Sequence, residues 1–167
     1  MADRFKVKPL PYAYDKLDGI SQQTNTFHHD THYAGYVKKR NEILDRMATV
    51  DRAAANANFS EFGALKRHET FNAAGQHLHE IYWDILGGDG KPTGEVADHI
   101  VRSFGSHDNW VADFKASSLI ALGWVVTALD PLDDSICDGR MAGVGRMKPV
   151  CTENSTHEKR SEHESVL

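Results

Sequence analysis

The chain has 167 residues, 40% of them apolar, enough to build one compact unit or two small lobes sharing a core. Its formal net charge of −5 offers no global attraction for nucleic acid or anionic lipid, so no nucleic-acid partner is expected and any pull on an anionic ligand must be local. No apolar run approaches the roughly 18 residues a membrane helix needs, and MADRFKVKPL lacks the hydrophobic stretch of a signal peptide, so no membrane partner is expected, the cytoplasm is the default location, and Cys137 and Cys151 read as thiols rather than a disulfide.

Residues 1 to 20, with Pro9, Pro11, Tyr12 and Tyr14, read as an extended lead-in lying over the helices. Ser21 is placed to cap a first long helix that runs to about Met47, because no proline interrupts it and Ile43, Leu44 and Met47 keep the apolar spacing; Gly35 is its one weak point. Within it, FHHDTHYAGY carries His28, His32 and Tyr36 at every fourth position. A four-residue step turns about 40° past a full turn, so the three share one slowly rotating stripe. Such a stripe is either an exposed His-rich face, in a chain with ten histidines, or a metal-serving one.

Residues 51 to 70 read as a turn plus a short helix anchored by Phe59, Phe62 and Leu65. A second long helix follows over 71 to 88, with Phe71, Gly75, Leu78, His79, Tyr82, Trp83 and Leu86 on its apolar side and Gly87-Gly88 as its stop. A buried imidazole must have a partner, so His79 is either a hydrogen-bonded core residue or a ligand. Gly75, one turn earlier, costs about 1 kcal/mol relative to alanine in mid-helix and calls for a packing reason, such as close approach of another group. The two long helices form an antiparallel hairpin that can bring His28 and His79 face to face.

GDGKPTG, residues 88 to 94, marks the boundary between domains over 1–88 and 89–167. Beyond it, Thr93 caps a helix burying Val96, Ile100, Val101 and Phe104, and Ser106 caps another carrying Trp110, Val111 and Phe114. GWVVTALDP then reads as a strand ending in a turn. The expected fold class is α+β, an N-terminal antiparallel helical hairpin followed by a smaller, truncated α/β lobe with an incomplete sheet. No aromatic residue follows Trp124, so the remainder is expected to pack poorly, and the polar run CTENSTHEKRSEHESVL to be disordered.

LPYAYDKL, FHHDTHYAGYVKKRN, FNAAGQHLHEIYW, PTGEV, SFGSHDNWVADFKA and GWVVTALDP, in that order, resemble the iron/manganese superoxide dismutases over roughly residues 9 to 131. The resemblance implies an iron or manganese ion, metal ligands His28 and His79, and an outer gate of His32 and Tyr36 that organises entering solvent and serves catalysis. It implies disproportionation of superoxide to oxygen and hydrogen peroxide. Trp124 matches the first tryptophan of a GxGWxW segment that walls the family's metal pocket, and Val126 stands where the second aromatic belongs. Gly75 holds a position where one branch of the family carries a glutamine; the glycine version resembles the manganese-leaning branch, and Gln76 lies one residue off. The family's last two ligands come from a DxWEH-type motif that this sequence lacks, its nearest echo being Glu153 and His157. The alternative is therefore a degenerate dismutase-like chain without turnover, acting as a structural or interaction module. A homodimer is typical of the family, but the Glu-His pair that bridges its subunits belongs to the missing motif, so a monomer or a weak oligomer is expected.

Overall fold

The computed structural model describes residues 4–141, which fall into two compact units, one ending at Lys91 and the other running from Pro92 to Met141. Cys151, Glu153, His157 and the polar run around them lie outside the described residues. Among the described residues no helix is long and apolar enough to cross a membrane.

The first unit is a helical hairpin. Ser21 Oγ accepts the Thr24 N–H at 3.1 Å, which starts α1 (Gln22–Thr26). The chain then winds as a π-helix over Phe27–Tyr33 and continues without interruption into α2 (Ala34–Thr49). The π segment was not expected from the sequence, and it matters for the site described below. After an irregular stretch turned by the Asp51 and Asn56 side chains, Ser60 Oγ accepts the Gly63 N–H at 3.1 Å and starts α3 (Glu61–Ile85). The expected short helix and second long helix are thus one helix of 25 residues. Nothing between Glu61 and Phe71 breaks it, since the one glycine of that stretch, Gly63, lies in the first turn, where a glycine costs the helix least.

Helices α2 and α3 pack along each other through two apolar clusters. Tyr33, Val37 and Trp83 form one, with Phe5, Leu10, Tyr82 and Leu86 against it; Ile43, Val50 and Leu65 form the other, with Met47 and Phe62. Phe59, expected as an anchor, is 80% exposed, because it precedes the Ser60 cap and the helix turns away from it.

The second unit places α4 (Gly94–Phe104) and α5 (His107–Leu119) on an antiparallel hairpin of β1 (Trp124–Asp130) and β2 (Ser135–Met141). Gly105 ends α4 at φ +80°, and Ser106 Oγ caps α5 by accepting the Asn109 N–H at 3.1 Å. Ile100 is buried as expected, but Val96 and Val101 are exposed, because α4 buries only the narrow stripe through Ala97, Ile100 and Phe104. Despite its lack of aromatics, the described stretch from residue 125 to 141 does form structure. Strand β2 pairs with β1 from Ser135 opposite Asp130 to Met141 opposite Trp124, since a ladder draws on backbone groups. Asp138, opposite Thr127, is buried and accepts from Trp110 Nε1 at 3.2 Å and from Thr127 Oγ1. Burial pushes its carboxyl above the usual range.

Candidate metal centre

His79 is 1% exposed in the middle of α3. Its Nδ1 lies 2.6 Å from the carbonyl oxygen of Gly75, one turn back. A carbonyl can only accept, so Nδ1 carries the proton and Nε2 keeps its lone pair. That Nε2 lies 3.1 Å from Nε2 of His28, on the π segment of the opposite helix, with the rings at 82°. Burial, followed by the neighbouring imidazoles His28 and His32, holds His79 down at about 4, against its own hydrogen bond to the Gly75 carbonyl, which works the other way. Burial and the imidazoles of His32 and His29 lower His28 as well. Both rings are therefore neutral near pH 7, the form that binds metal.

His32 stands one step along from His28, exposed, with its ring 5.7 Å from His28 and 5.1 Å from His79 between centroids. Each of the three histidines offers a nitrogen within 4.8 Å of the others. Closure by i→i+5 bonds gives a π-helix more than four residues per turn, so a four-residue step falls short of a full turn instead of overshooting it.

Tyr36 completes the patch. Its ring lies 5.0 Å from His32 and 5.4 Å from His79, and burial raises its phenol, which therefore stays protonated. Gly75 makes room for it. A Cβ on Gly75 would sit 2.4 Å from Tyr36 Cδ1 and 2.6 Å from Cε1, so only a glycine lets the ring lie flat on α3. Trp83 and Tyr82 wall the other side, 4.8 and 5.4 Å from His28, and keep water from the inner rings. The structure thus brings His28, His32, Tyr36 and His79 together at one place.

A second stripe, absent from the sequence reading, supports the first. Asn25, His29, Tyr33, Val37 and Asn41 recur at four-residue spacing and are all buried. They pin the lead-in to the hairpin. Asn41 exchanges two hydrogen bonds with the Phe5 backbone at 3.0 and 2.9 Å, His29 Nε2 lies 2.7 Å from the Lys8 carbonyl, and Asn25 donates to the Tyr14 carbonyl at 2.8 Å. Tyr33 Oη donates to Glu80 Oε1 at 3.1 Å, and Glu80 also takes Lys8 Nζ at 2.6 Å and Gln76 Nε2 at 2.8 Å. Gln76 in turn accepts from Arg40 at 2.9 Å. The signal for these residues was in the sequence as an i, i+4 series one residue out of phase with His32 and Tyr36.

Comparison with known proteins places the hairpin. Residues 4–87 match the family model of the iron/manganese superoxide dismutases, alpha-hairpin domain. Superoxide dismutase [Mn] 1 of Halobacterium salinarum is 40% identical over 130 residues, covering 75% of this chain and 63% of that protein. Superoxide dismutase [Fe] of Aquifex aeolicus is 40% identical over 131 residues, covering 75% and 62%. Superoxide dismutase [Mn] 2 of Haloferax volcanii is 37% identical over 136 residues, covering 79% and 66%. The chain therefore spans less than two thirds of the length of these relatives.

Proposed function

The chain belongs to the iron/manganese superoxide dismutase family, and on that premise we propose that it holds an iron or manganese ion between His28 and His79 and serves the disproportionation of superoxide. The observation that carries the reading is the 3.1 Å approach of the two Nε2 atoms across the hairpin. Two nitrogens bound to one ion at about 2.0–2.1 Å in tetrahedral geometry lie about 3.3 Å apart, so the pair is already at ligand spacing. The donor set also fits: neutral imidazoles suit a first-row transition metal, and the Gly75 carbonyl fixes the His79 tautomer as outer partners of metal-bound histidines do.

When bound, the ion supplies a one-electron couple that oxidises one superoxide to oxygen and reduces a second, which leaves with two protons as hydrogen peroxide. The chain's own residues do the rest. His79 and His28 hold the ion with lone pairs that burial keeps unprotonated. Tyr82 and Trp83 exclude bulk water from its inner side. Tyr36 keeps its phenolic proton in position beside the approach, and His32, on the exposed side, meets the entering anion and solvent first.

The test is to load the 167-residue chain with iron and with manganese, dialyse against a chelator, and measure retained metal and dismutation beside His79→Gln. Retention of about one ion per chain that His79→Gln abolishes supports the reading. Equal retention in both proteins would place the ion elsewhere and end it.

A further inference from the structure

A second concave surface lies along the N-terminal lead-in, and no residue of the imidazole patch lines it. A cavity of about 260 Å³ opens between residues 5 to 7 and α2, with Phe5, Val7, Ala34 and Val37 as apolar walls and Lys6 and Lys38 beside them. We infer that this cavity binds a small amphiphilic anion, a medium-chain alkanoate being the type, with its head at the two lysines and its chain on the apolar walls.

The walls are formed before any ligand arrives. Phe5 exchanges its backbone N–H and carbonyl with the Asn41 side chain at 3.0 and 2.9 Å, and the Arg40 guanidinium lies over its ring, 3.7 Å from the centroid. At the other end of the segment, the Lys8 N–H donates to Tyr33 Oη at 3.1 Å and the Lys8 ammonium meets Glu80 at 2.6 Å. Lys6 and Val7 are thus strung between two fixed points above α2. A ligand entering here has little chain to order, so little of its binding energy goes to closing the site.

Charge and polarity then choose the ligand. No carboxylate is among the described residues that line the cavity. Lys8 and Lys39 are held by Glu80 and Glu42, whereas Lys6 and Lys38 form no ion pair among the described residues. The charge of Lys38 reaches Glu42, but that carboxylate is already bonded to Lys39. Two unpaired ammonium groups beside apolar walls match an anion with an apolar body, and they disfavour a cation or a wholly polar ligand. Lysine stems are flexible and apolar, so both heads can turn to one anion while their methylenes cover its chain. Val7, 41% exposed on the lip, loses water when that chain is seated. Size sets the chain length. At about 30 Å³ for each water-sized group, the cavity takes roughly eight or nine heavy atoms, the bulk of a medium-chain alkanoate and far less than a long-chain lipid.

Octanoate is the probe, kept below its micelle concentration, with hexanoate and acetate as shorter anions and octanol as the uncharged counterpart. Each is titrated into the ¹⁵N-labelled full chain and followed by backbone amide shifts. Expected are saturable shifts at residues 5–7, 34, 37 and 38, with affinity falling about two- to fourfold for each methylene removed. Octanol should bind about fivefold more weakly than octanoate. Lys6→Gln combined with Lys38→Gln should erase that difference and leave octanol binding unchanged, while Val7→Ser weakens both ligands. All three positions are exposed, so the variants keep the fold, as far-ultraviolet circular dichroism checks. Octanoate shifts that fail to saturate, or that saturate at other residues, overturn the inference. So does octanol bound as tightly as octanoate, which would mean that the lysines recognise nothing. Acetate bound as tightly as octanoate overturns it too, since the apolar walls would then take no part.

Discussion

Gly75→Ala sets two effects of known size against each other. In the middle of a helix, alanine is better than glycine by about 1 kcal/mol, so the substitution should stabilise α3 if nothing lies opposite. Here the new methyl would meet Tyr36 Cδ1 at 2.4 Å, Cε1 at 2.6 Å and Cγ at 2.8 Å. Carbon atoms in contact rest about 3.5–4.0 Å apart, so the ring must retreat by about 1 Å or the two helices must part. Tyr36 cannot simply swing away, because its ring is held between Phe71, His32 and His79. Overpacking of this kind costs about 1–3 kcal/mol, and the closeness of three atoms puts it at the upper end. The net loss is about 2 kcal/mol, or roughly 4–8 °C in Tm for a chain of this size. Urea unfolding of the wild type, Gly75→Ala, Tyr36→Ala and the double variant makes the cycle. Once Tyr36 is alanine, Gly75→Ala should become stabilising by about 1 kcal/mol. A Gly75→Ala protein as stable as the wild type with Tyr36 in place, or a penalty that persists without Tyr36, would refute the reasoning.

Two further outcomes follow from the buried polar groups. His79 titrates at about 4 in the folded chain against 6.5 when exposed, so below pH 6.5 the unfolded chain takes a proton that the folded chain refuses. Metal-free protein should therefore keep its full stability above that pH and lose about 3 kcal/mol as pH falls through 4; urea midpoints at pH 7.5 and pH 5 measure this, and an unchanged slope in His79→Gln would reject the assignment. Glu80→Ala leaves the fully buried Tyr33 hydroxyl without its acceptor and should cost about 1–3 kcal/mol. Lys8→Ala, which removes an exposed partner, should cost clearly less than Glu80→Ala; equal losses in the two urea curves would mean that the network's centre is not Glu80.

What the sequence disclosed and what it hid divide along one physical line. Features that depend on residue type and local spacing were legible: the Ser21 cap, the hairpin, the Gly87 stop, the glycine opposite a crowding ring, and the stripe of His28, His32 and Tyr36. Features that depend on which of two faces a helix buries were not. Val96 and Val101 satisfied the apolar spacing on α4 as well as Ile100 does, yet only the stripe through Ile100 meets a neighbour. Phe59 has the composition of an anchor but sits on the wrong side of its cap.

The second stripe shows why the site's support was hard to assign although its i, i+4 series was there to read. At the α-helical pitch, four steps of about 40° carry Asn41 some 160° away from Asn25, so no single neighbour could bury both. The π segment between Phe27 and Tyr33 turns the other way at each step and cancels part of that drift, and so a lead-in anchored at Phe5, Lys8 and Tyr14 can cover the whole row. The departure from α geometry thus serves the buried polar row that meets the N-terminal segment, while His28 keeps its side toward His79 on α3. His28 and His32 alternate on that segment with His29 and Tyr33 of the buried row. The site's geometry and the docking of the lead-in are for that reason one structural problem, although no residue belongs to both stripes.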